Sequence, residues 1–333
     1  MLLAAPLAAQ PSTAVPTLSP ARSEAAAALH HLRTLDGKVA TIGHRLAIAA
    51  RELCGTEQPL PGLVVHDLGQ YAPALRGEAA RQFGLDRGPA VLALAEGGPA
   101  ARAGLRLDDV LLAADGASLS AGAPDPERAS FAGTDRVLEA LEGAFGDGRA
   151  LLDILRAGAP SRVEVIADHG CATRFQLMPS PRLNARADGR YVQVTSAIGD
   201  YAKDDDELAW VLAHEFAHNV LGHRSRLAEA GVPGGFRRQL GRNARLVRGT
   251  ELEADRLSVY LMARAGYDPE AALRFWSRYG PSRPSFLDSP SHPRWRDRVA
   301  ALTEELARLR WLEAAGQPLV PAFLERAESP LAG

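Results

Sequence analysis

Trp210-Val211-Leu212-Ala213-His214-Glu215-Phe216-Ala217-His218-Asn219-Val220-Leu221 is the stretch on which the reading of the chain turns. On an α-helix, residues four apart share one face, so His214 and His218 point the same way. Their ring nitrogens can then meet at one metal ion. Glu215 lies about 100° round from His214 and can reach a water at that ion without ligating it. Two His ligands and a Glu general base at this spacing are the pattern of a zinc hydrolase. The flanking residues are apolar on nearly every side, which predicts a buried helix. Buried imidazoles and a carboxylate need partners, and a metal with its water would supply them. The competing reading is a chance motif whose histidines bond to backbone carbonyls in the core.

A second segment bears on that choice. In Glu251-Leu252-Glu253-Ala254-Asp255, Glu251 and Asp255 are again four apart on an expected helix. Catalytic zinc commonly takes two His and one Glu, leaving a fourth position for water. Glu251 is the expected third ligand, with Glu253 as second choice. Asp255, one turn on, can accept the outer N–H of a ligand His and fix its tautomer. Ala217 and Ala254 are small enough for the two helices to approach closely. One Zn2+ per chain is the expected cofactor.

Composition sets limits on function. The 333 residues suffice for two domains, and 46% apolar with 23% charged residues is ordinary for a globular protein. A net charge of −2 argues against an electrostatic nucleic-acid binder. No stretch approaches the ~20 apolar residues of a spanning helix, so the chain is not expected to be an integral membrane protein. Met1 to Gln10 resembles the second half of a secretory signal peptide without its basic start, which points to export, with the periplasm as the expected compartment. In an oxidising compartment Cys54 and Cys171 could be joined, closing a loop worth roughly 4–5 kcal/mol; two separate buried thiols is the alternative.

Residues 1–20 read as a leader. Apolar residues from Leu29 to Ala50 recur at three-to-four spacing, a helix that Gly37 and Gly43 weaken. His30, His31, His44, His66 and His169 carry no partner motif and are expected at the surface. Leu63 to His66 is a short strand candidate. Asp204 to Glu207 opens the motif helix as a capping box. Gly222 ends it, and His223 just beyond is read as structural. From Arg224 to Thr250, Phe236, Leu240, Ala244 and Val247 make one apolar side, which would suit a solvated helix, a lid or peripheral contact with anionic lipid. A final helix follows the Pro-rich loop at 281–293, and residues 317–333 are a tail.

Residues 76–167 change character. Pro89 to Leu94 is a strand. The run Pro99-Ala100-Ala101-Arg102-Ala103-Gly104-Leu105-Arg106-Leu107-Asp108-Asp109-Val110 follows, then a short helix at Thr134 to Ala144 and a hairpin across Gly158-Ala159-Pro160. This resembles a PDZ domain of the bacterial protease type, except that Asp108 stands where that family usually has Gly. The resemblance implies that Phe83-Gly84-Leu85 receives the C-terminal carboxylate of a peptide, which is added as a strand at a sheet edge.

From Asn184 to about Leu302 the chain is similar to the gluzincin metallopeptidases that include the CAAX prenyl endopeptidase and HtpX, on the soluble, periplasmic-like side of that group. The matching features are Asn184-Ala185 before a strand, His214-Glu215-x-x-His218, Glu251-x-x-Ala254-Asp255, and Ser291-His292-Pro293 with Arg298. The resemblance implies zinc at His214, His218 and Glu251, Glu215 as base, Asp255 and Arg298 supporting the ligands, and His292 at the oxyanion. The expected fold is α+β: a mainly helical zincin-type peptidase domain with a small edge sheet (21–75 and 168–316), interrupted by a PDZ domain of small-barrel type with short helices. The expected function is zinc-dependent endopeptidase action on polypeptide substrates, misfolded or envelope proteins among them, with the PDZ unit binding peptide or gating the site. The alternative is a PDZ-based, chaperone-like peptide binder with a latent zinc site. Nothing in the sequence fixes the oligomeric state.

Overall fold

The computed structural model describes residues 20–233, 240–282 and 293–324, with side chains from Glu24 onward. The chain opens with α1 (Pro20–Ala49), one unbroken helix despite its two glycines. Gly43 is there for packing: a Cβ on it would collide with the Phe175 ring. The three-to-four spacing puts Leu35, Val39, Ile42 and Leu46 into the core.

β1 (Glu57–Leu60) carries the chain out of this first lobe. A second lobe follows, made of β2 (Leu63–His66), α2 (Pro73–Phe83), β3 (Ala90–Leu94), α3 (Pro99–Arg102), β4 (Val110–Ala114), β5 (Ala117–Ser118), α4 (Ala132–Ala144), β6 (Arg149–Arg156) and β7 (Ala159–Ile166). β8 (Asp168–Cys171) brings the chain back, paired antiparallel with β1 from Glu57↔Cys171 to Leu60↔Asp168. Outgoing and returning strands therefore form a neck, and the Cys54–Cys171 disulfide closes it. The second lobe has its own core, with Val91, Leu111, Leu152, Ile154 and Val165 packed on Val137, Leu141 and Phe145. Its strands run in the order β2-β3-β4-β6-β7, with β5 beside β4. The sheet begins at Leu63, ahead of the boundary expected at residue 76, because β2 pairs antiparallel with β3.

Beyond the neck, β9 (Arg174–Met178), β10 (Ala185–Ala187) and β11 (Tyr191–Thr195) form a three-stranded sheet in the order β10-β11-β9. Then come α5 (Ser196–Tyr201), α6 (Asp205–Val220), α7 (His223–Glu229), α8 (Gly241–Arg264), α9 (Ala271–Ser282) and α10 (Trp295–Ala314). The large core joins α1, this sheet and α6 with Leu257, Tyr260 and Leu261 of α8, Phe275 of α9 and Leu302 of α10. Mixed helix and sheet fits the expected α+β class. No described helix is long and apolar enough to cross a membrane. Val247 of the Arg-rich segment is buried with Leu227 and Leu246, and Ala244 is buried too, so that part of its apolar side is spent on packing inside the protein. Phe236 lies outside the described residues.

The lobes meet through charge as well as apolar contact. Asp108 takes a left-handed φ of 66°, a conformation short polar side chains tolerate, and its carboxylate pairs with Arg33 of α1. Asp168 of the neck accepts from Arg102 at 3.1 Å and lies 3.2 Å from the His44 ring. Arg174 of β9 donates to Asp135 at 2.7 Å and to Glu142 at 2.6 Å, both on α4. Between α1, β2, α4 and β9 lies an open, largely apolar cavity of about 1440 Å³, lined by Leu32, Leu63, Leu138 and Leu177 among others. Asp36 of α1 faces it, and burial pushes its carboxyl from the ordinary 3.8 up to about 7, against the pull of Arg33.

Two expectations follow. Between the ordinary carboxylate range and about pH 7 the unfolded chain has lost the Asp36 proton that the folded chain keeps, so stability falls as pH rises through that window. Asp36→Asn should remove this contribution, on the order of 3–4 kcal/mol, and flatten unfolding midpoints measured from pH 5 to 8. An unchanged slope in the variant would assign the dependence elsewhere. Cys171→Ser should cost roughly 2–5 kcal/mol in denaturant titrations, since the bond spans 117 residues of chain.

Candidate metal centre

α6 is fixed at both ends. At its start the Asp204 carboxylate accepts from the Glu207 N–H at 2.8 Å. Glu207, itself buried, accepts from the Lys203 N–H at 2.8 Å and from Arg278 through both oxygens at 2.5 Å. Near its end the Asn219 carboxamide accepts from the Gly189 N–H at 2.7 Å and donates to the Tyr191 carbonyl at 3.3 Å. The helix is thereby tied to the three-stranded sheet. Every residue from Leu208 to Ala213 is buried, as are Phe216 and Ala217, which meets the all-round apolar pattern. Ala217 and Ala254 are both fully buried in the core that α6 and α8 share.

His214, His218 and Glu251 converge. Their ligating atoms lie within 4.8 Å of one another. The two Nε2 atoms are 3.4 Å apart, and Glu251 oxygens stand 3.7 Å from that of His214 and 3.6 Å from that of His218. Ligands about 2.0–2.1 Å from a tetrahedral ion are separated by roughly 3.3–3.4 Å, so the spacing fits such an ion. The donor chemistry fits as well. Both Nδ1 atoms are engaged on the far side, His214 with Asp255 Oδ1 at 3.0 Å and His218 with the His223 ring at 2.8 Å. Both Nε2 atoms face the same gap, with Arg298 Nη2 also 3.4 Å from that of His214.

Charge points the same way. Asp255 and Glu251 face one guanidinium, that of Arg298, which grips Asp255 at 2.7 and 2.5 Å and lies 3.9 Å from Glu251. Burial opposes protonation of His214, but its hydrogen bonds to Asp255 and Glu251 prevail and raise it to about 9. Burial takes His218 the other way, down to about 3, against the attraction of Glu251. The two rings and the Glu251 carboxylate thus form a donor set that a divalent metal can take at the lone pairs of both rings.

Glu215 lies beside this group on the cleft wall. Burial pushes its carboxyl up to about 7; His214 opposes the shift and Glu251 adds to it. Trp210, Phe275, Trp276, Tyr279 and Trp295 supply aromatic walls to the cleft. Leu183, Asn184 and Ala185 form its lip, where β10 pairs with β11 only, so its other edge carries no strand among the described residues.

Several expectations need amendment. Glu253, the second choice as ligand, instead accepts from Arg226 at 2.8 Å and lies 3.1 Å from His223 Nε2. His223, read as structural, touches a ligand histidine, and its only sequence signal was its place just past the helix-ending Gly222. His66 is fully buried rather than at the surface, with Nδ1 2.7 Å from the Tyr71 hydroxyl. Phe83 and Leu85 are buried, and the Gly84 N–H closes α2 by donating to Ala80. The edge of β3 beside that loop is taken by β2, so it is not open to a peptide strand. His292 lies outside the described residues.

Comparison with known proteins concerns this part of the chain. The family model for peptidase family M48 matches residues 164–234 and 235–306, which hold all three converging side chains. A β-barrel assembly-enhancing protease of Yersinia pestis is 29% identical where the two align, over 34% of this chain and 30% of the relative. The chain therefore spans about a third of that relative's length. Together the matches support the M48 metallopeptidase family for the part of the chain that builds the His–His–Glu site.

Proposed function

We propose that this chain is a zinc-dependent endopeptidase that cleaves polypeptides. The observation that carries the reading is the meeting of His214, His218 and Glu251 at tetrahedral spacing with Glu215 beside them. Bound there, zinc would acidify water and polarise the scissile carbonyl. Glu215 takes a proton from the attacking water as it adds to the carbonyl carbon, then gives it to the leaving amine nitrogen as the C–N bond breaks. A carboxyl brought near neutrality suits both transfers. His292 is assigned to the developing oxyanion on the resemblance of its motif. The open edge of β10 offers backbone groups to an extended substrate.

The substrate class is misfolded or envelope protein. Two observations support it: the Cys54–Cys171 disulfide suits an oxidising compartment, and the Yersinia pestis relative is named for β-barrel assembly. A second reading concerns the inserted lobe, whose element order resembles a PDZ domain. In this reading the lobe gates the cleft; what supports it is that the acidic face of α4 is tied to Arg174 of β9 and to Tyr191 of β11, the strand next to β10.

Glu215→Gln should retain zinc by metal analysis and lose cleavage of an unfolded casein substrate by ~10²–10⁴-fold, whereas His214→Ala should lose both. Cleavage that survives Glu215→Gln, or that chelation does not abolish, would end the mechanism. For the gate, Asp135→Asn combined with Glu142→Gln should alter kcat/KM by a few-fold to ~30-fold with zinc content unchanged. Identical kinetics would leave the lobe without a gating role.

A further inference from the structure

Gly222 sits at a φ of 57°, in the left-handed region, and lets the chain turn back sharply at the end of α6. That turn starts α7 with His223, which is 2% exposed and whose ring stands 4.9 Å from the His218 ring, nearly perpendicular to it. The two Nδ1 atoms are 2.8 Å apart, a hydrogen-bond distance. A contact between two ring nitrogens needs one proton, so one ring donates and the other accepts.

The rest of the chain of contacts fixes the direction. If His218 Nδ1 were the acceptor, its proton would sit on Nε2, in the gap shared with His214 and Glu251, and no metal could bind there. Nδ1 of His218 is therefore the donor, and Nδ1 of His223 is the acceptor. The proton of His223 is then on Nε2, which lies 3.1 Å from Glu253 Oε2. That oxygen also accepts from Arg226 Nη1 at 2.8 Å. Every group has a role it can fill: His218 donates to His223, His223 donates to Glu253, and Arg226 holds the carboxylate. His214 is served more directly, by Asp255 held by Arg298. α8 thus supplies one metal ligand and a carboxylate terminus for each ligand histidine.

We propose that His223 is a positioning residue. It locks His218 in the Nδ1–H tautomer that offers Nε2 to the metal, and Glu253 with Arg226 sets the orientation of His223. Partners of this kind commonly contribute ~10–100-fold to metal affinity. The inference rests on the metal-site reading above.

The test is zinc affinity of the full chain, measured by competition with a chromogenic chelator, alongside melting of the metal-free protein. His223→Leu removes the acceptor and should weaken zinc binding ~10–100-fold with little change in metal-free melting. His223→Gln can still accept through Oε1 and donate through Nε2, and should restore affinity to within about 3-fold of the parent (well inside that range). Parent-like affinity in a folded His223→Leu protein would overturn the proposal alone. A parent chain that binds no zinc would sink the site reading with it. Should His223→Leu fail to fold, nitrogen-15 spectra of the imidazoles in the zinc-loaded parent decide the matter. They should show His218 protonated at Nδ1 and His223 at Nε2; the Nδ1–H form of His223 would overturn the assignment.

Discussion

Two imidazole nitrogens 3.4 Å apart, both turned toward one carboxylate, need a proton or a cation between them. Bare lone pairs at that distance repel, and the partial burial of the site limits the water that could separate them. Much of the lobe that holds these side chains can be understood as keeping this arrangement in place. α6 is pinned at its start by Asp204 and the Glu207–Arg278 pair, and near its end by Asn219 against the sheet. α8 lies against it where both helices carry alanine. Three acids at alternate positions of α8 then take three tasks: Glu251 faces the gap, Asp255 meets the His214 ring and Glu253 meets the His223 ring. Each supporting acid has its own arginine, Arg298 or Arg226, brought from a different helix. Removing one partner of the buried Asp255–Arg298 pair would leave the other charge uncompensated, so those two depend on each other.

The converging side chains could be read in the sequence because helical periodicity turns spacing into geometry. His214 and His218 are one turn apart, and so are Glu251 and Asp255; only the meeting of the two helices had to be supplied by chemistry. What could not be read depends on how elements are oriented to each other. His223 is five residues from His218, a spacing with no meaning on a continuous helix. It acquires one only because Gly222 reverses the chain. Glu253 points away from Glu251 on its own helix, and its partner comes from α7, which the Arg-rich composition of that segment disguised. His66 lies in a strand too short for alternation to separate its buried face from its exposed one.

Strand pairing set the other limit. Leu63 to His66 was visible as a strand candidate, yet its partner lies across α2, and only the fold shows that β2 closes the β3 edge. That pairing extends the inserted lobe toward the neck and fills the place a peptide was expected to take. The disulfide was undecidable for a related reason. Cys54 and Cys171 are 117 residues apart, and they meet because β1 and β8 run antiparallel in a register that sets Glu57 opposite Cys171.

The neck also bears on how the lobes can influence each other. A two-strand ladder closed by a disulfide permits little translation, so relative motion is confined to small rotations about β1 and β8. Rotation is resisted by apolar contact, where Leu29 of α1 packs with Phe83 and Leu85, and by charged contact: Arg33 with Asp108, Arg102 with Asp168, and Arg174 with Asp135 and Glu142. Pairs whose carboxylates are this exposed are individually weak. The Arg174 group differs in its connections, because Asp135 also accepts from the Tyr191 hydroxyl at 2.6 Å. Tyr191 belongs to β11, which is bonded to β10 at the lip of the metal cleft. A rotation that moves α4 must therefore either break these hydrogen bonds or carry β11 with it. Close-packed structure passes on the second kind of shift rather than absorbing it. If the inserted lobe gates the cleft as proposed, the connection runs through β11 and β10, with Arg174 and Tyr191 as its point of entry.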